Sequence, residues 1–431
     1  MKRLALRIAA AVLTSGSAAN AFAQWQAPPA PERPAPTVIP TISVKPVVTE
    51  VPTVPPAVAT QVVQEARSSD VREALKQQDL SLKKEQAALL RAPQTPLIAA
   101  KVDGIAKARM NIASANNLLI GGAPDAEEVL TDQLETILAI MRPVYGFCSG
   151  APWVDEQTVG WATWRDAVRP ISSRIAAVAR SVGVIFMYDD AQSTIARVGA
   201  TVFVVGKSHV VTNRHVLKDY AYRDSSGKWV MNDDKQILSV SFPYEYRKCD
   251  ARTTPRDVRI IGIESVGDAD DDTADFAILR TEDNALPPPP PLADVYDLDD
   301  GARVAVIGYP ARPVNCEAKL RPGEECANLT DPQIDALFAL PNHSTTFPAE
   351  RFAPGFTIPS PKLDDMLFTY DSSTWKGNSG SPVIRLSDGK IVGLHSGGKS
   401  RNKGKQMEGI YNNGIKIERV RKALADAGIT Q

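Results

Sequence analysis

The sequence has little of what marks a nucleic-acid-binding or metal-binding protein. Its 49 lysine and arginine residues nearly balance 50 aspartate and glutamate residues, which gives a formal net charge of -1. A chain without excess positive charge has no general field to hold a polyanion, so nucleic acid is not an expected partner. Histidine and cysteine occur four times each, without a C-x-x-C or Cys/His cluster. We therefore expect no metal site and no other cofactor.

Long apolar runs are also missing, and the first 23 residues have the pattern of a signal peptide. Lys2 and Arg3 precede a mostly apolar stretch that ends in an A-x-A cleavage pattern at Ala23. A spanning helix needs about 20 apolar residues, and Arg7 makes this stretch too weak to span. We predict cleavage after Ala23, no stable membrane span in the mature chain, and a secreted or periplasmic bacterial protein.

Export permits disulfide bonds, and the number of cysteines is even. Cys316 and Cys326 flank a short polar stretch, so pairing of these two is the preferred prediction. That pairing leaves Cys148 to bond with Cys249. The alternative is a set of buried free thiols.

Composition divides the remaining amino-terminal half into two parts. Residues 24–58 are rich in proline, which predicts an extended linker. Residues 59–165 contain strong helix formers after Asp70 and an apolar stripe at helical spacing from Pro124 to Met141, which predicts a small helical region. This region is either an accessory unit for packing and spacing, or a pro-segment in intramolecular contact with the domain that follows.

From about residue 180 the pattern becomes that of many short strands. Apolar runs such as VGVIFMY, FAILR and IVGLHSGG alternate with Gly, Pro, Asp and Asn residues. This spacing indicates a β-sandwich or β-barrels rather than a βαβ sheet. The chain ends in an amphipathic helix with Ile417, Val420 and Leu424 on one face, and Gly428 fits its carboxyl-terminal cap.

One histidine and one aspartate stand at the ends of predicted strands. His215 follows the apolar run HVVT and a polar break, which would hold it rigidly beside a cleft. Asp275 directly precedes the apolar run FAIL, and a buried carboxylate needs a strong partner such as a histidine N–H. The neighbouring acidic run imitates a calcium loop, but Thr273 replaces the required Gly and Leu279 replaces the required Glu.

Ser379 lies between two glycines in the stretch TWKGNSGSPVI, which is either a plain turn or an oxyanion site. Along the chain the order is His215, Asp275, Ser379, which differs from the subtilisin and α/β-hydrolase orders. The G-x-S-x-G elbow of the hydrolases is also absent, because Ser381 stands where its second glycine would be.

Four motifs, TNRHV, DFAIL, VIGYP and GNSGSPV, follow one another over about residues 180–425 and together resemble the trypsin-like serine peptidases. The resemblance implies a mainly β fold, the chymotrypsin-like double β-barrel, with a carboxyl-terminal helix and a small helical region before it. It implies that residues 166–431 are the protease domain. The active site would lie between two six-stranded barrels.

The resemblance also implies a serine endopeptidase that hydrolyses polypeptide substrates through an acyl-enzyme. His215 would take the proton of Ser379, and Asp275 would orient the imidazole. The backbone N–H groups of Gly377 and Ser379 would form the oxyanion hole, where a side chain at position 377 would be an obstruction.

Within this family, the stretches YDSSTWKGNSGSPV and IVGLHSGG are similar to the glutamyl endopeptidases. That similarity implies that Thr374 and His395 hydrogen-bond an acidic P1 side chain. Ser396, Gly397 and Gly398 would pair with an extended substrate as an added strand. The alternative is that a histidine in G-x-H-x-G-G is a broad feature of bacterial trypsin-like peptidases and sets no specificity.

Two other functions stay open from the sequence. One is an inactive trypsin-like protein that only binds peptides, against which the intact set of catalytic residue types argues. The other is an interaction protein that works through residues 59–165, with the barrels as a scaffold. The sequence also leaves undecided whether a substrate side chain can enter the pocket, because Trp375 and Lys376 are bulkier than the residues often found beside it.

Overall fold

The structure is a computed structural model. It describes residues 67, 71–91, 96–121, 141–148, 150–153, 161–188, 196–232, 237–242, 256–268, 274–282, 286–313, 349–359, 366–403 and 406–430. The helices among them are α1 (Val71–Arg91), α2 (Pro96–Gly121), α3 (Trp161–Val168), α4 (Ser172–Ala179) and α5 (Ile417–Asp426). None of these described helices contains an apolar stretch of the length that a membrane span requires.

The strands of the same residues, in chain order, are β1 (Tyr145–Cys148), β2 (Ala151–Trp153), β3 (Val182–Tyr188), β4 (Ala196–Gly206), β5 (His209–Thr212), β6 (Ala221–Arg223), β7 (Trp229–Met231), β8 (Ile237–Phe242), β9 (Arg256–Val266), β10 (Ala277–Thr281), β11 (Arg303–Gly308), β12 (Arg351–Ile358), β13 (Leu367–Tyr370), β14 (Pro382–Arg385), β15 (Ile391–Lys403) and β16 (Gln406–Lys416).

The first barrel is a closed ring of six antiparallel strands in the order β10-β5-β4-β3-β8-β9. Its interior is filled mainly by β-branched and leucine side chains, because such residues fit a pleated, half-buried surface. Val202, Val210 and Val240, for example, are fully buried in one apolar cluster. Closure of the ring also leaves no strand edge exposed for pairing with another chain.

The second barrel has the strand order β11-β14-β15-β16-β13-β12 and is closed by pairing of β11 with β12. Strand β1 adds to the outer side of β12, and β2 pairs with β1. The helix α5 packs Ile417, Val420 and Leu424 into the same apolar cluster as this barrel. The positive φ of Gly428, 69°, ends the helix as a glycine cap does.

These observations confirm the predicted fold: two six-stranded antiparallel barrels, a carboxyl-terminal helix and a small amino-terminal helical region. In that region α1 and α2 pack side by side. The Arg109 guanidinium of α2 lies 2.7 Å from the Asp79 carboxylate of α1, and it donates to the Gln86 side chain at 3.1 Å. The predicted helix at residues 124–141 lies outside the described residues except for its last position.

The structure differs from the prediction at the end of the helical region. The sequence analysis extended that region to residue 165, but the structure places β1 and β2 there, with Tyr145 opposite Phe352 of β12. A four-residue strand has too few positions to show a period of its own, and it directly follows a helical pattern. The sheet of the second barrel therefore includes residues well before position 166.

Candidate active site

Two paired strands of the first barrel bring His215 and Asp275 together. Strands β5 and β10 are antiparallel, with Thr212 opposite Ala277. His215 follows β5 in a short 3₁₀ segment (Arg214–Asp219), and Asp275 precedes β10 by two residues. Because the end of one antiparallel strand lies beside the start of its partner, both side chains emerge at the same end of the barrel.

Ser379 comes from the second barrel, in the segment 371–381 between β13 and β14, which we call the serine loop. Its Oγ lies 2.9 Å from Nε2 of His215. Nδ1 of the same ring lies 2.7 Å from Oδ2 of Asp275. The structure thus brings together the three side chains that the sequence analysis singled out, from both barrels.

The Asp275 carboxylate determines which nitrogen of the His215 imidazole carries the proton. An ionised carboxylate only accepts hydrogen bonds, so Nδ1 of His215 carries the ring proton and Nε2 presents its lone pair to Ser379. The second carboxylate oxygen accepts the backbone N–H of His215 at 2.9 Å. The histidine side chain is 39% exposed and the aspartate side chain 13%, so the ring is accessible while its partner is shielded.

Asn213 supports this pair, although nothing in the sequence indicated it. Its Nδ2 donates to the backbone carbonyl of Asp275 at 2.8 Å. The side-chain amide therefore joins the end of β5 to the start of β10 next to the reacting groups. A polar residue after an apolar strand is too common a pattern to predict such a bond.

The serine loop places two backbone N–H groups beside Ser379. Gly377 has a φ of +94° and Gly380 a φ of +87°, a conformation that side chains disfavour. In the part of the chain that the structure describes, the amides of Gly377 and Ser379 donate no hydrogen bond. Two unused donors next to a candidate nucleophile are what an oxyanion hole requires.

The orientation of the Gly377 amide is set by its neighbours. The N–H of Ala311 donates to the carbonyl of Lys376 at 2.6 Å. Since C=O and N–H point in opposite directions across a trans peptide, the Gly377 N–H points away from Ala311. The Thr201 hydroxyl then donates to the Gly377 carbonyl at 2.7 Å.

Thr201 also joins the barrels, because it lies on β4 and contacts the second barrel twice more. Its Oγ1 accepts the N–H of Tyr309 at 3.0 Å, and its own N–H donates to the Ser379 carbonyl at 2.9 Å. The serine loop is therefore held from the first barrel as well as from its own.

Replacement of Gly377 by alanine should lower kcat for peptide hydrolysis by about 10²- to 10³-fold, the cost of losing one oxyanion donor. A Cβ at this position would lie 2.4 Å from the Tyr309 carbonyl oxygen, so the peptide must shift. Steady-state kinetics on a chromogenic peptide measures the effect.

The matched control for this substitution is Gly227→Ala. Gly227 has a similar φ of +80° in the β6–β7 turn, but a Cβ there would meet nothing within 4 Å. Backbone strain is then comparable and the site is untouched, so wild-type kcat is expected. Equal kcat losses in both variants would contradict the assignment of the Gly377 amide.

His395 lies on β15 behind the serine loop and is 3% exposed. The hydroxyl of Tyr370 is hydrogen-bonded to its Nδ1. Burial lowers the pKa of His395 to about 3, and burial raises the pKa of Tyr370. The imidazole is therefore neutral, and within the described residues its Nε2 makes no hydrogen bond.

Thr374 is held by a residue that the sequence analysis did not name. Its hydroxyl donates to Oδ1 of Asn412, and Nδ2 of that amide donates to the Ser372 carbonyl at 2.6 Å. Trp375 packs against the large apolar cluster of the second barrel. Its indole is thus turned toward the core, while Lys376 is exposed.

The segment Ser396-Gly397-Gly398 continues β15 directly from His395. The register against β16 shifts between His395 and Gly397, which leaves Ser396 as the extra residue of a bulge. Ser396 and Gly397 are half-buried and Gly398 is exposed. A Cβ at Gly397 would meet nothing within 4 Å, so this part of the strand has open space beside it.

The remaining predicted site residues are the cysteines. Cys148 lies on β1, whereas Cys249, Cys316 and Cys326 lie outside the described residues, so both disulfide bonds stay predictions. Among the described residues, no group of three histidine, cysteine, aspartate or glutamate side chains could hold a metal ion.

A double barrel with this topology is the chymotrypsin-like fold. Residues 200–394 match the family model described as the trypsin-like peptidase domain. The matched range includes all four motifs on which the resemblance was based. A search of curated proteins finds no match.

Solved structures with similarity to this chain include the active form of the Rv3671c protease from M. tuberculosis. It is 20% identical, with a TM-score of 0.34, and the match covers 60% of this chain and 85% of that one. A Glu endopeptidase in complex with MPD is 19% identical, with a TM-score of 0.36 and coverage of 57% and 91%. The inactive form of the Rv3671c protease is 18% identical, with a TM-score of 0.32 and coverage of 61% and 96%.

Proposed function

We propose that this protein is an exported serine endopeptidase that cleaves polypeptides through an acyl-enzyme on Ser379. The observation that carries the proposal is the continuous hydrogen-bonded series from Asp275 through His215 to Ser379, at 2.7 and 2.9 Å. It ends beside the two unused N–H donors of the serine loop. Nucleophile, base, orienting carboxylate and oxyanion donors are then all present in one place.

Acylation follows from these positions. As Ser379 Oγ attacks the scissile carbonyl carbon, its proton passes to Nε2 of His215. The negative charge that develops on the carbonyl oxygen is met by the N–H groups of Gly377 and Ser379, each worth about 3 kcal/mol in comparable sites. The Asp275 carboxylate stabilises the imidazolium, which then protonates the leaving amine as the C–N bond breaks.

Deacylation repeats the same steps with water. His215 Nε2 takes a proton from a water molecule as the water oxygen attacks the ester carbon of the acyl-enzyme. The oxyanion that forms again accepts hydrogen bonds from the two N–H groups. The imidazolium returns its proton to Ser379 Oγ as the ester bond breaks. The enzyme is regenerated without any group beyond its own residues and water.

Export is part of the proposal and rests on the amino-terminal sequence pattern alone. Residues 1–23, as a signal peptide, would be removed, and residues 24–58 would remain as a proline-rich linker. A secreted or periplasmic location follows. Mass spectrometry of the mature amino terminus tests this part, and a chain that retains Met1 would contradict it.

Hydrolysis of an unfolded protein such as reduced casein tests the catalytic part. The wild type should release peptides, and Ser379→Ala should release none above background while keeping the circular dichroism of the wild type. A folded wild type without hydrolytic activity would instead favour a protein that only binds peptides.

We further propose that the pocket beside Ser379 prefers an acidic P1 side chain. The support is the neutral, deeply buried His395, whose Nδ1 contacts the Tyr370 hydroxyl and whose Nε2 has no hydrogen-bond partner among the described residues. With its ring proton on Nε2, this imidazole would donate to a P1 carboxylate. A hydrogen bond to a charged group contributes about 1.5–3 kcal/mol. Peptides with P1 Glu should therefore be cleaved about 10- to 100-fold faster, in kcat/KM, than those with P1 Gln.

The pH dependence of this preference is a separate prediction. Because the pKa of His395 is lowered to about 3, its charge does not change between about pH 5.5 and 8.5, so the Glu/Gln ratio should stay constant. A histidine of ordinary pKa would make the ratio fall as pH rises through about 6.5. Panels differing only at P1, measured at each pH, decide between the two.

Thr374→Val tests the hydroxyl in the same panel. On binding of P1 Glu, the hydroxyl would turn its proton from Oδ1 of Asn412 to the carboxylate, so its loss should lower the Glu/Gln ratio. Thr281→Val is the matched control, since that buried hydroxyl donates to the Ser208 carbonyl in the first barrel. No preference for Glu or Asp in the wild type would remove the acidic P1 proposal and leave the endopeptidase proposal standing.

A further inference from the structure

Arg142 precedes the whole first barrel in sequence, yet its guanidinium is buried against the serine loop. Nε donates to Oδ1 of Asp371 at 3.0 Å, and Nη2 donates to Oδ2 at 2.8 Å. Both side chains are almost fully buried, with exposures of 0% and 4%. This is a two-point ion pair between residues 229 positions apart.

Two aromatic rings also contact the guanidinium. Its carbon lies 4.6 Å from the centre of the Phe356 ring and 5.4 Å from that of Trp164. The Trp164 indole N–H donates to the carbonyl of Met141 at 3.1 Å, which fixes the backbone beside Arg142. A planar cation beside two rings is held in one orientation more firmly than a lysine ammonium would be.

A buried ion pair of this kind is weak evidence for stability. Desolvation of two charges offsets most of their attraction, and apolar residues of similar size often serve a core equally well. A role in fixing one particular arrangement is a better reason for its presence, and the arrangement here involves the start of the serine loop.

Asp371 is the first residue of that loop, and its contacts lead into the site. Its Oδ1 accepts the N–H of Phe356 at 2.7 Å as well as the Arg142 Nε–H. The residue before it, Tyr370, holds Nδ1 of His395, and the residue after it gives its carbonyl to Asn412. The ion pair therefore fixes the upstream end of the loop, as Thr201 fixes the downstream end.

We propose that Arg142 is a positioning residue for the proposed peptidase reaction. Its guanidinium holds the Asp371 carboxylate, and through it sets the wall of the P1 pocket and the placement of the Gly377 and Ser379 amides. The segment 141–148 is then part of the working peptidase. A maturation cut that leaves an active enzyme falls before Met141, and not at the predicted domain border near residue 165.

The test compares three variants of the full chain: Arg142→Met, Arg142→Lys and Arg165→Met. Arg165 is the matched control. Like Arg142, it precedes the predicted domain border and pairs with an aspartate, Asp166, but this pair is exposed to solvent. Active sites are counted by complete reaction with a fluorophosphonate. Values of kcat and KM, and Ki for a peptide aldehyde as transition-state analogue, are then expressed per counted site.

Positioning predicts that Arg142→Met lowers kcat/KM per counted site by about 10²-fold, the cost of a misplacement of about 1 Å. Ki for the aldehyde should rise by a similar factor. Arg142→Lys keeps the charge but lacks the planar two-point contact, so about a tenfold loss is expected. Arg165→Met should match the wild type.

A purely structural role predicts something different. It would reduce the number of counted sites and leave kcat, KM and Ki per site at wild-type values, and that result overturns the inference. If Arg142→Met gives no folded protein, Arg142→Lys decides the question by the same criterion. A folded wild type that hydrolyses no peptide would overturn the proposed function itself, and the inference with it.

Discussion

Replacement of His215 by alanine is expected to lower kcat for peptide hydrolysis by about 10⁶-fold, close to the loss from removal of the serine itself. The hydroxyl of Ser379 then has no acceptor at 2.9 Å, and a serine alcohol is a weak nucleophile at neutral pH. The residual rate comes from the oxyanion donors and substrate binding alone. Single-turnover kinetics at saturating substrate measures the effect.

The control for this substitution is His209→Ala. His209 begins the same strand that His215 follows, and its Nε2 lies 3.9 Å from the Glu264 carboxylate, outside the site. Wild-type kcat is expected for it. If both variants lost activity equally, or if His215→Ala retained more than about a hundredth of it, His215 would not be the base.

Replacement of Asp275 by asparagine should lower kcat by about 10⁴-fold without loss of fold. The amide can still accept the backbone N–H of His215, but its NH₂ group would donate to Nδ1. The ring proton then moves to Nε2, which can no longer accept the proton of Ser379. Kinetics and circular dichroism of Asp275→Asn measure both parts of the prediction.

Asp257→Asn is the matched control, because Asp257 is exposed on β9 of the same barrel. It should behave as the wild type. A kcat for Asp275→Asn within tenfold of the wild type would show that the carboxylate does not set the tautomer of His215.

Much of the double barrel could be predicted because its signals are local. Short apolar runs bounded by turn residues predict the strands of the barrels, because buried and exposed positions alternate along a strand. His215 and Asp275 could be placed together because each stands at the end of such a strand. The unusual backbone conformation of Gly377 could likewise be predicted, since glycines close to a serine indicate a tight loop with little steric cover.

The supports of the site could not be predicted in this way, because they join distant parts of the chain. Thr201 reads as an ordinary strand residue, and its bonds to Tyr309 and Gly377 exist only once both barrels are formed. Arg142 gives no local signal at all, since its partner is 229 residues away. A single charged residue after a helical pattern is more often solvated than buried.

The same reason explains the misplaced border of the helical region. Strand β1 is stabilised by pairing with β12, with Gly146 opposite Arg351, and Phe147 packs edge-on against Phe352 at 6.3 Å. Long-range pairing of this kind overrides local pattern, because a strand of four residues has little propensity of its own.

The identity of the nucleophile is tested most directly by locating a covalent adduct. The wild type is treated with a fluorophosphonate, digested, and mapped by tandem mass spectrometry. The proposed mechanism predicts one adduct per chain, on Oγ of Ser379, and none in folded His215→Ala over the same time. An adduct on any other residue, or hydrolysis of casein that persists in Ser379→Ala, would contradict it.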